Sequence, residues 1–138
     1  MAYDQNNIFA KILRGEAPCI KVYEDDATLA FMDVMPQAEG HTLVIPRAAA
    51  ESLFDLRRDD YAALARTTQH VAAAVKKAIG APGLMIAQLN GPEAGQTVFH
   101  IHNHIIPRWD EIDMKLHSRE LADMKVLEEQ AQRIRAAF

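Results

Sequence analysis

Apolar positions along this chain recur with two periods, and the changes between them mark out its elements. Ile8, Phe9, Ile12 and Leu13 fall at helical spacing within residues 6–14. With Asn6 or Asn7 as cap they predict a short helix, ended by Gly15 and Pro18. Residues 20–24 read as a strand, Asp25 and Asp26 as a turn, and residues 28–33 as a second strand whose mostly apolar run suits burial on both faces. Residues 35–40 read as a loop, and residues 41–45 as a third strand stopped by Pro46. A long helix follows from Tyr61, Leu64, Ala65, Thr68, Val71, Ala72, Val75 and Ile79. Asp59 and Asp60 suit the positive end of its dipole, and Gly80 and Pro82 close it. Residues 84–89 and 98–106 are the fourth and fifth strands, the latter ending at Pro107. Ser118 is the expected cap of a last helix with an apolar stripe of Leu121, Met124, Leu127, Ala131, Ile134 and Phe138.

The fourth and fifth strands are joined by eight residues, Asn90 to Thr97. That is longer than a simple hairpin needs, and Gly91 and Gly95 allow backbone to come close to a ligand. Immediately after it stand His100, His102 and His104. On a strand, alternate residues share a face, so these imidazoles line up while Ile101, Asn103 and Ile105 point the other way. Packing alone explains such a row poorly, because buried imidazoles need hydrogen-bond partners. Two chemistries use one. A His-x-His pair can bind a metal, although the outer two lie ~13 Å apart at the rise of a strand, so a third ligand such as His41 or Asp33 would be required. Alternatively one imidazole attacks while its neighbours fix its tautomer and bind an anion. Spacing alone favours neither.

Composition narrows the partners. The 138 residues suffice for a single domain with its own core, with 49% apolar and 25% charged residues. The net charge of -4, with Lys and Arg scattered among acids, speaks against long nucleic acid. No segment reaches the ~20 apolar residues of a membrane span. The beginning of the sequence has no secretory leader pattern, and a single cysteine, Cys19, fits a reducing cytoplasm.

Two blocks decide between the chemistries. Gly91-Pro-Glu-Ala-Gly-Gln-Thr-Val98 followed by His100-x-His102-x-His104-Ile-Ile-Pro-Arg108 closely resembles the signature of the histidine triad (HIT) family of nucleotide hydrolases and transferases. Ile8-Phe9-Ala-Lys-Ile12, Phe31-Met-Asp33 and Gly40-His41-Thr-Leu-Val-Ile-Pro46 resemble the same family in the expected order. The resemblance spans about residues 7–108, leaving 109–138 as a carboxyl-terminal extension of one domain covering 1–138. It implies an α+β fold, with a five-stranded, mostly antiparallel sheet and one long packed helix, a homodimer, no cofactor, and a purine nucleotide of AMP type as ligand. Carried over position by position, it makes His102 the nucleophile that forms a nucleotidyl-histidine. It sets His104 against the α-phosphate and has His100 and His41 orient the row. Asn90, Gly95, Gln96 and Thr97 would meet the phosphates, the sugar or the leaving group, and Asp33 would accept the ribose hydroxyls. Ile8, Phe9, Ile12, Phe31, Val34 and Leu43 would line the base pocket.

The amino-terminal half is similar to the phosphoramidase (Hint-like) branch. The Gly-Pro-Glu-Ala-Gly-Gln-Thr loop and Phe54-Asp-Leu-Arg57 are closer to the fragile-histidine-triad branch, which cleaves dinucleoside polyphosphates. A non-catalytic nucleotide-binding module is the remaining alternative. Two departures stand out. Asn103 replaces an apolar residue and needs a partner on the covered side of the sheet. Asn7 and Ala10 stand where some bacterial members have a zinc-binding Cys-x-x-Cys, and no histidine follows closely after Pro46.

Overall fold

The computed structural model describes residues 2–110 and 120–138. Helix α1 (Ile8–Leu13) starts where the Asn7 side-chain oxygen accepts the Ala10 N–H at 2.9 Å. Strands β1 (Lys21–Glu24) and β2 (Thr28–Met32) form a hairpin whose turn is held by Asp25, which accepts from the backbone N–H of Ala27 and Thr28. Strand β3 (Thr42–Pro46) is followed by the 22-residue helix α2 (Arg58–Ile79), which Gly80 closes at φ +74. Strands β4 (Gly83–Gln88) and β5 (Asn103–Arg108) and helix α3 (Met124–Arg135) complete the order. The five strands form one sheet in the order β1-β2-β3-β5-β4, with every neighbouring pair antiparallel. The fold is α+β, as the family resemblance implies.

Strand alternation divides the interior into two layers. Ala30, Met32, Val44 and Ile105 face α2 and α3, packing with Leu64, Val71, Val75, Leu127, Ala131 and Ile134. Leu29, Phe31, Leu43 and Ile45 face the other way and pack under α1 through Phe9 and Ile12. In register, Phe31 opposes Leu43, Leu43 opposes His104, and His104 opposes Ala87. Directly opposed residues share a sheet face, so His104 lies beside the apolar layer under α1. Full burial of β2 and β3 matches their continuous apolar runs.

Several expected boundaries move. Pro46 is the last residue of β3 and Pro107 lies inside β5, pairing with Thr28 and Leu84. The β3–β5 ladder covers only Thr42–Val44 against Asn103–Ile105. Each proline therefore sits where the ladder on one side has ended and no N–H is required. Strand β2 stops at Met32, one residue short of Asp33, and β3 begins after His41. Strand β5 begins at Asn103, so only His104 of the three histidines is in the ladder. On α2, Tyr61 and Ala65 are exposed, while Thr67 and Ala74 join the buried face. Ser118 lies outside the described residues. Helix α3 is instead capped by the Asp123 side chain, and Leu121, Met124 and Phe138 are exposed rather than buried. Among the described residues no helix is long and apolar enough to cross a membrane.

Candidate active site

The histidines gather where the segment leading into β5 crosses the end of β3. His102 packs edge-on against Phe9, with ring centroids 4.9 Å apart, and lies 5.0 Å from the His104 ring. His41, just before β3, reaches His104 with 2.9 Å between His41 Nε2 and His104 Nδ1. Thus the row expected of a single strand forms although only its last member is in the ladder.

The neighbours fix where each proton sits. The Gln37 N–H can only donate, so His41 Nδ1 at 2.9 Å accepts, and the proton of His41 lies on Nε2. From there it is donated to His104 Nδ1, which leaves the His104 proton on Nε2. The His100 carbonyl can only accept, so His102 Nδ1 at 2.7 Å carries its proton and His102 Nε2 keeps a free lone pair. The Pro46 carbonyl takes the Nε2–H of His100 at 2.8 Å, and the Tyr3 hydroxyl donates to His100 Nδ1 at 2.5 Å. Each neutral ring is therefore held in one tautomer.

Burial keeps the rings neutral. Desolvation is the main cause in all four, lowering His41 to about 3 and His100 and His104 to about 4. In His100 the bond to Pro46 opposes this and outweighs the lowering by His102, while nearby imidazoles push His41 and His104 further down. His102 is lowered too, chiefly by desolvation and against the opposing bond to the His100 carbonyl. Asp33 goes the other way, raised to about 6 by desolvation although its bond from Met35 N–H lowers it. Its carboxylate oxygen lies 3.4 Å from His41 Nε2, but with His41 neutral the contact is polar rather than an ion pair.

The loop after β4 is rigid by construction. Gly91 and Gly95 take φ values of +95 and +101, and residues Pro92–Ala94 form a 3-10 turn. Gln96 has its amide wholly engaged. Its oxygen accepts the Gly91 N–H, and its nitrogen donates to the carbonyls of Glu51 and Val98. Gln96 thus shapes the loop from within, while Thr97 is exposed on it. Asn90 accepts the Leu53 N–H and donates to Gln88, whose own amide nitrogen donates to Asn103. Asn103 then donates to Thr68 on α2, which answers its need for a partner on the covered face. One line of hydrogen bonds therefore runs from α2 through the sheet to Asn90.

Of the expected base-pocket residues, Phe9, Phe31 and Leu43 are buried together and Ile12 packs against them. Ile8 and Val34 are exposed at its rim, at 46% and 38%. A cavity of about 600 Å³ lies between the start of α1 and the loop, touching Asn7, Ile8, Asn90 and Thr97. A second, of about 520 Å³, opens between the loop and the sheet beside His104, Gln37 and Gly95. Sequence reasoning did not find Tyr3, the Gln37 N–H or the Pro46 carbonyl, because backbone groups and a residue 97 positions away carry no local signal.

Metal binding fits this wiring poorly. The His100/His102 pair is not offered as a chelate, since both His100 nitrogens are already engaged. Ligand atoms of Asp33, His41 and His104 lie within 4.8 Å of one another. A cation there would need His41 Nε2 without its proton, and the Nδ1–H that results would face the Gln37 N–H. At the zinc position of some relatives, Asn7 instead caps α1 and Ala10 is buried.

Fold and site together define an α+β protein in which the His102 ring, with an unprotonated Nε2, packs on Phe9 and beside His104, and His104 shares a cavity with a glycine-bounded loop. The profile of the HIT domain matches residues 14–111, and the chain belongs to the HIT family. It is 38% identical over 120 residues to the adenylylsulfatase HINT3 of Arabidopsis thaliana, covering 83% of this chain but only 61% of that one. It is 39% identical over 104 residues to the adenosine 5'-monophosphoramidase hnt1 of Schizosaccharomyces pombe, covering 75% of each. The crystal structure of a Hit-like protein from Bartonella henselae, described as involved in cell-cycle regulation and solved with an unknown ligand, superposes with a TM-score of 0.93. That comparison has 47% identity and covers 99% of this chain and 100% of the other.

Proposed function

We propose that this protein hydrolyses substituents from the α-phosphate of a purine nucleoside monophosphate, with adenosine 5'-phosphoramidate as the type substrate. The observation that carries the reading is the His102 tautomer. Its Nδ1–H is committed to the His100 carbonyl, so Nε2 is the nucleophile. Phosphorylation there puts positive charge on the ring, which that same carbonyl stabilises.

In the first step the Nε2 lone pair attacks phosphorus, a P–Nε2 bond forms and the substrate P–N bond breaks. The amine departs with a proton from water. In the second step water attacks the same phosphorus, the P–Nε2 bond breaks, and AMP and neutral His102 are released with one proton. His104 Nε2–H donates to a phosphate oxygen in both steps. Asp33 receives the ribose hydroxyls, and Phe9, Ile12, Phe31 and Leu43 contact the base with Ile8 and Val34 at its edge. Asn90, Gly95 and Thr97 present the loop to the phosphate, and Gln96 keeps that loop in shape. His41 and His100 hold the proton pattern.

The enzyme works as a cytoplasmic homodimer without a cofactor. In support, β4 is an edge strand with Leu84 and Met85 half-exposed and Ile86 49% exposed, a surface suited to pairing with a second copy. The relatives named for phosphoramidate and adenylyl sulfate cleavage support the phosphoramidase side over the dinucleotide side.

The test is turnover in chelator of adenosine 5'-phosphoramidate, adenylyl sulfate, and diadenosine tri- and tetraphosphate, beside His102→Ala. Fastest release of AMP from the phosphoramidate is expected. Faster cleavage of the dinucleotides would assign the chain to polyphosphate hydrolysis. Turnover of none, with AMP still bound, would make it a binding module.

A further inference from the structure

The Tyr3 hydroxyl lies 2.5 Å from His100 Nδ1, across 97 residues of sequence, and the two rings meet edge to face at 5.7 Å. His100 is fully buried, and its other nitrogen donates to the Pro46 carbonyl. Without Tyr3 the Nδ1 lone pair would be left in the interior with no donor, which destabilises this tautomer and orientation of the ring. The ring matters because the His100 carbonyl is the acceptor that fixes His102 Nδ1–H. Pro46 holds one end of the imidazole, Tyr3 the other, and Phe9 sits edge-on to both the His100 and His102 rings.

We propose that Tyr3 is a positioning residue for the His102 nucleophile: its hydroxyl clamps His100 in the Nε2–H tautomer, and the clamped His100 carbonyl keeps the attacking lone pair on His102 Nε2. Tyr3 touches no substrate and acts only through His100. Burial raises its phenol above the ordinary range, so it stays a donor throughout the working pH. The clamp ties the segment before α1 to the catalytic row. It rests on the hydrolase reading for its effect on rate, but not for its effect on the ring.

Tyr3→Phe tests it by keeping the ring contact and removing the donor. The expected result is a fall in kcat on adenosine 5'-phosphoramidate of about five- to tenfold, the range one lost hydrogen bond gives. KM and AMP affinity should change by less than about twofold, because ground-state binding is untouched. Nitrogen-15 spectra of the imidazoles should show His100 in one tautomer in the wild type and in a mixture in Tyr3→Phe. Tyr3→Ala, which also removes the ring, should lose at least as much kcat and show the same mixture. Unchanged kcat in Tyr3→Phe overturns the proposal, as does a loss of AMP binding in step with kcat while the His100 tautomer stays single. If the wild type turns over no nucleotide, the hydrolase reading fails, and the imidazole spectra alone decide whether Tyr3 sets the ring.

Discussion

His41 Nε2 stands 2.9 Å from His104 Nδ1, and the backbone N–H of Gln37 stands 2.9 Å behind it at His41 Nδ1. The two bonds form a relay of fixed polarity, N–H to ring and ring to ring, that ends with the His104 proton facing outward. His41→Ala breaks the relay and leaves His104 Nδ1 without its donor. His104 is then free to carry its proton on Nδ1 and present a lone pair to an anionic phosphate. The expected loss in kcat is on the order of tenfold to a hundredfold, with AMP affinity weakened as well. Steady-state kinetics beside AMP titration calorimetry would check it, and an unchanged kcat would refute the relay.

Replacing His102 by Ala removes the ring whose Nε2 carries no proton and is the proposed nucleophile. Turnover should fall on the order of a thousandfold or more, as for other removed nucleophiles. The fold should persist, because the His102 ring makes its one hydrogen bond to a neighbouring carbonyl and otherwise packs on Phe9 and His104. Circular dichroism and AMP binding should stay near wild type. Loss of binding together with activity would show that the ring is a structural support instead.

How far the sequence revealed this site depended on range. The histidine alternation and the glycine-bounded loop are local signals, and the structure brings His102, His104 and His41 together near that loop. The 3.6-residue period located α2 because its buried face is long, although Tyr61 and Ala65 proved exposed. Local signals misled where an apolar residue faces solvent. Leu121 and Met124 drew the expected start of the last helix too far forward, whereas Asp123 caps it. Pro46 does end β3, but Pro107 looked like a strand end and lies within β5, because a proline's tolerance depends on whether a neighbouring strand is present, which only the sheet order shows. Tyr3 was invisible, since its role exists only after residues 3 and 100 are brought together.

Asn103 is the case in which a departure from the family pattern has a visible purpose. Its amide joins Thr68 to Gln88, and Gln88 in turn holds Asn90 at the loop. Asn103→Ala would leave the Gln88 amide nitrogen and Thr68 short of partners in a buried setting. That should cost about 1–3 kcal/mol of stability. KM for the nucleotide should rise more than kcat falls, because Asn90 lines the cavity between α1 and the loop. Denaturant unfolding and steady-state kinetics would read the two effects separately, and a variant as stable as wild type with unchanged KM would disprove the connection.

Acid should unfold this protein by titrating the buried histidines. His41, His100 and His104 have folded values of about 3, about 4 and about 4, below the ordinary ~6.5 of an unfolded chain. Between those limits the unfolded chain binds more protons, so stability is full above about 6.5 and is lost as pH falls toward 4. Asp33, raised to about 6, has the opposite sign: the folded chain binds its proton more tightly, and that contribution is lost as pH rises through 6. With His102 lowered as well, four groups against one give a net fall in melting temperature from pH 7 to pH 4.5. A melting temperature flat across that window would mean that the histidines are not kept neutral by burial.

Gln130 connects the last helix to the histidine row. Its side-chain oxygen accepts the Gly40 N–H at 3.0 Å, both groups are buried, and Gly40 leads directly into His41. Gly40 has no room to adapt, since its φ is +82 and an added Cβ would lie 2.6 Å from Ile79 Cγ1. Gln130→Leu keeps the bulk and removes the acceptor, so the Gly40 N–H is buried without a partner. Stability should fall by about 1–3 kcal/mol. The loop that supplies the Gln37 N–H should loosen with it, so kcat should fall alongside AMP affinity, and amide exchange at Gly40 and His41 should quicken. If Gln130→Leu lowers the melting temperature but leaves exchange at His41 and the rate unchanged, α3 supports the fold alone and has no part in holding the relay.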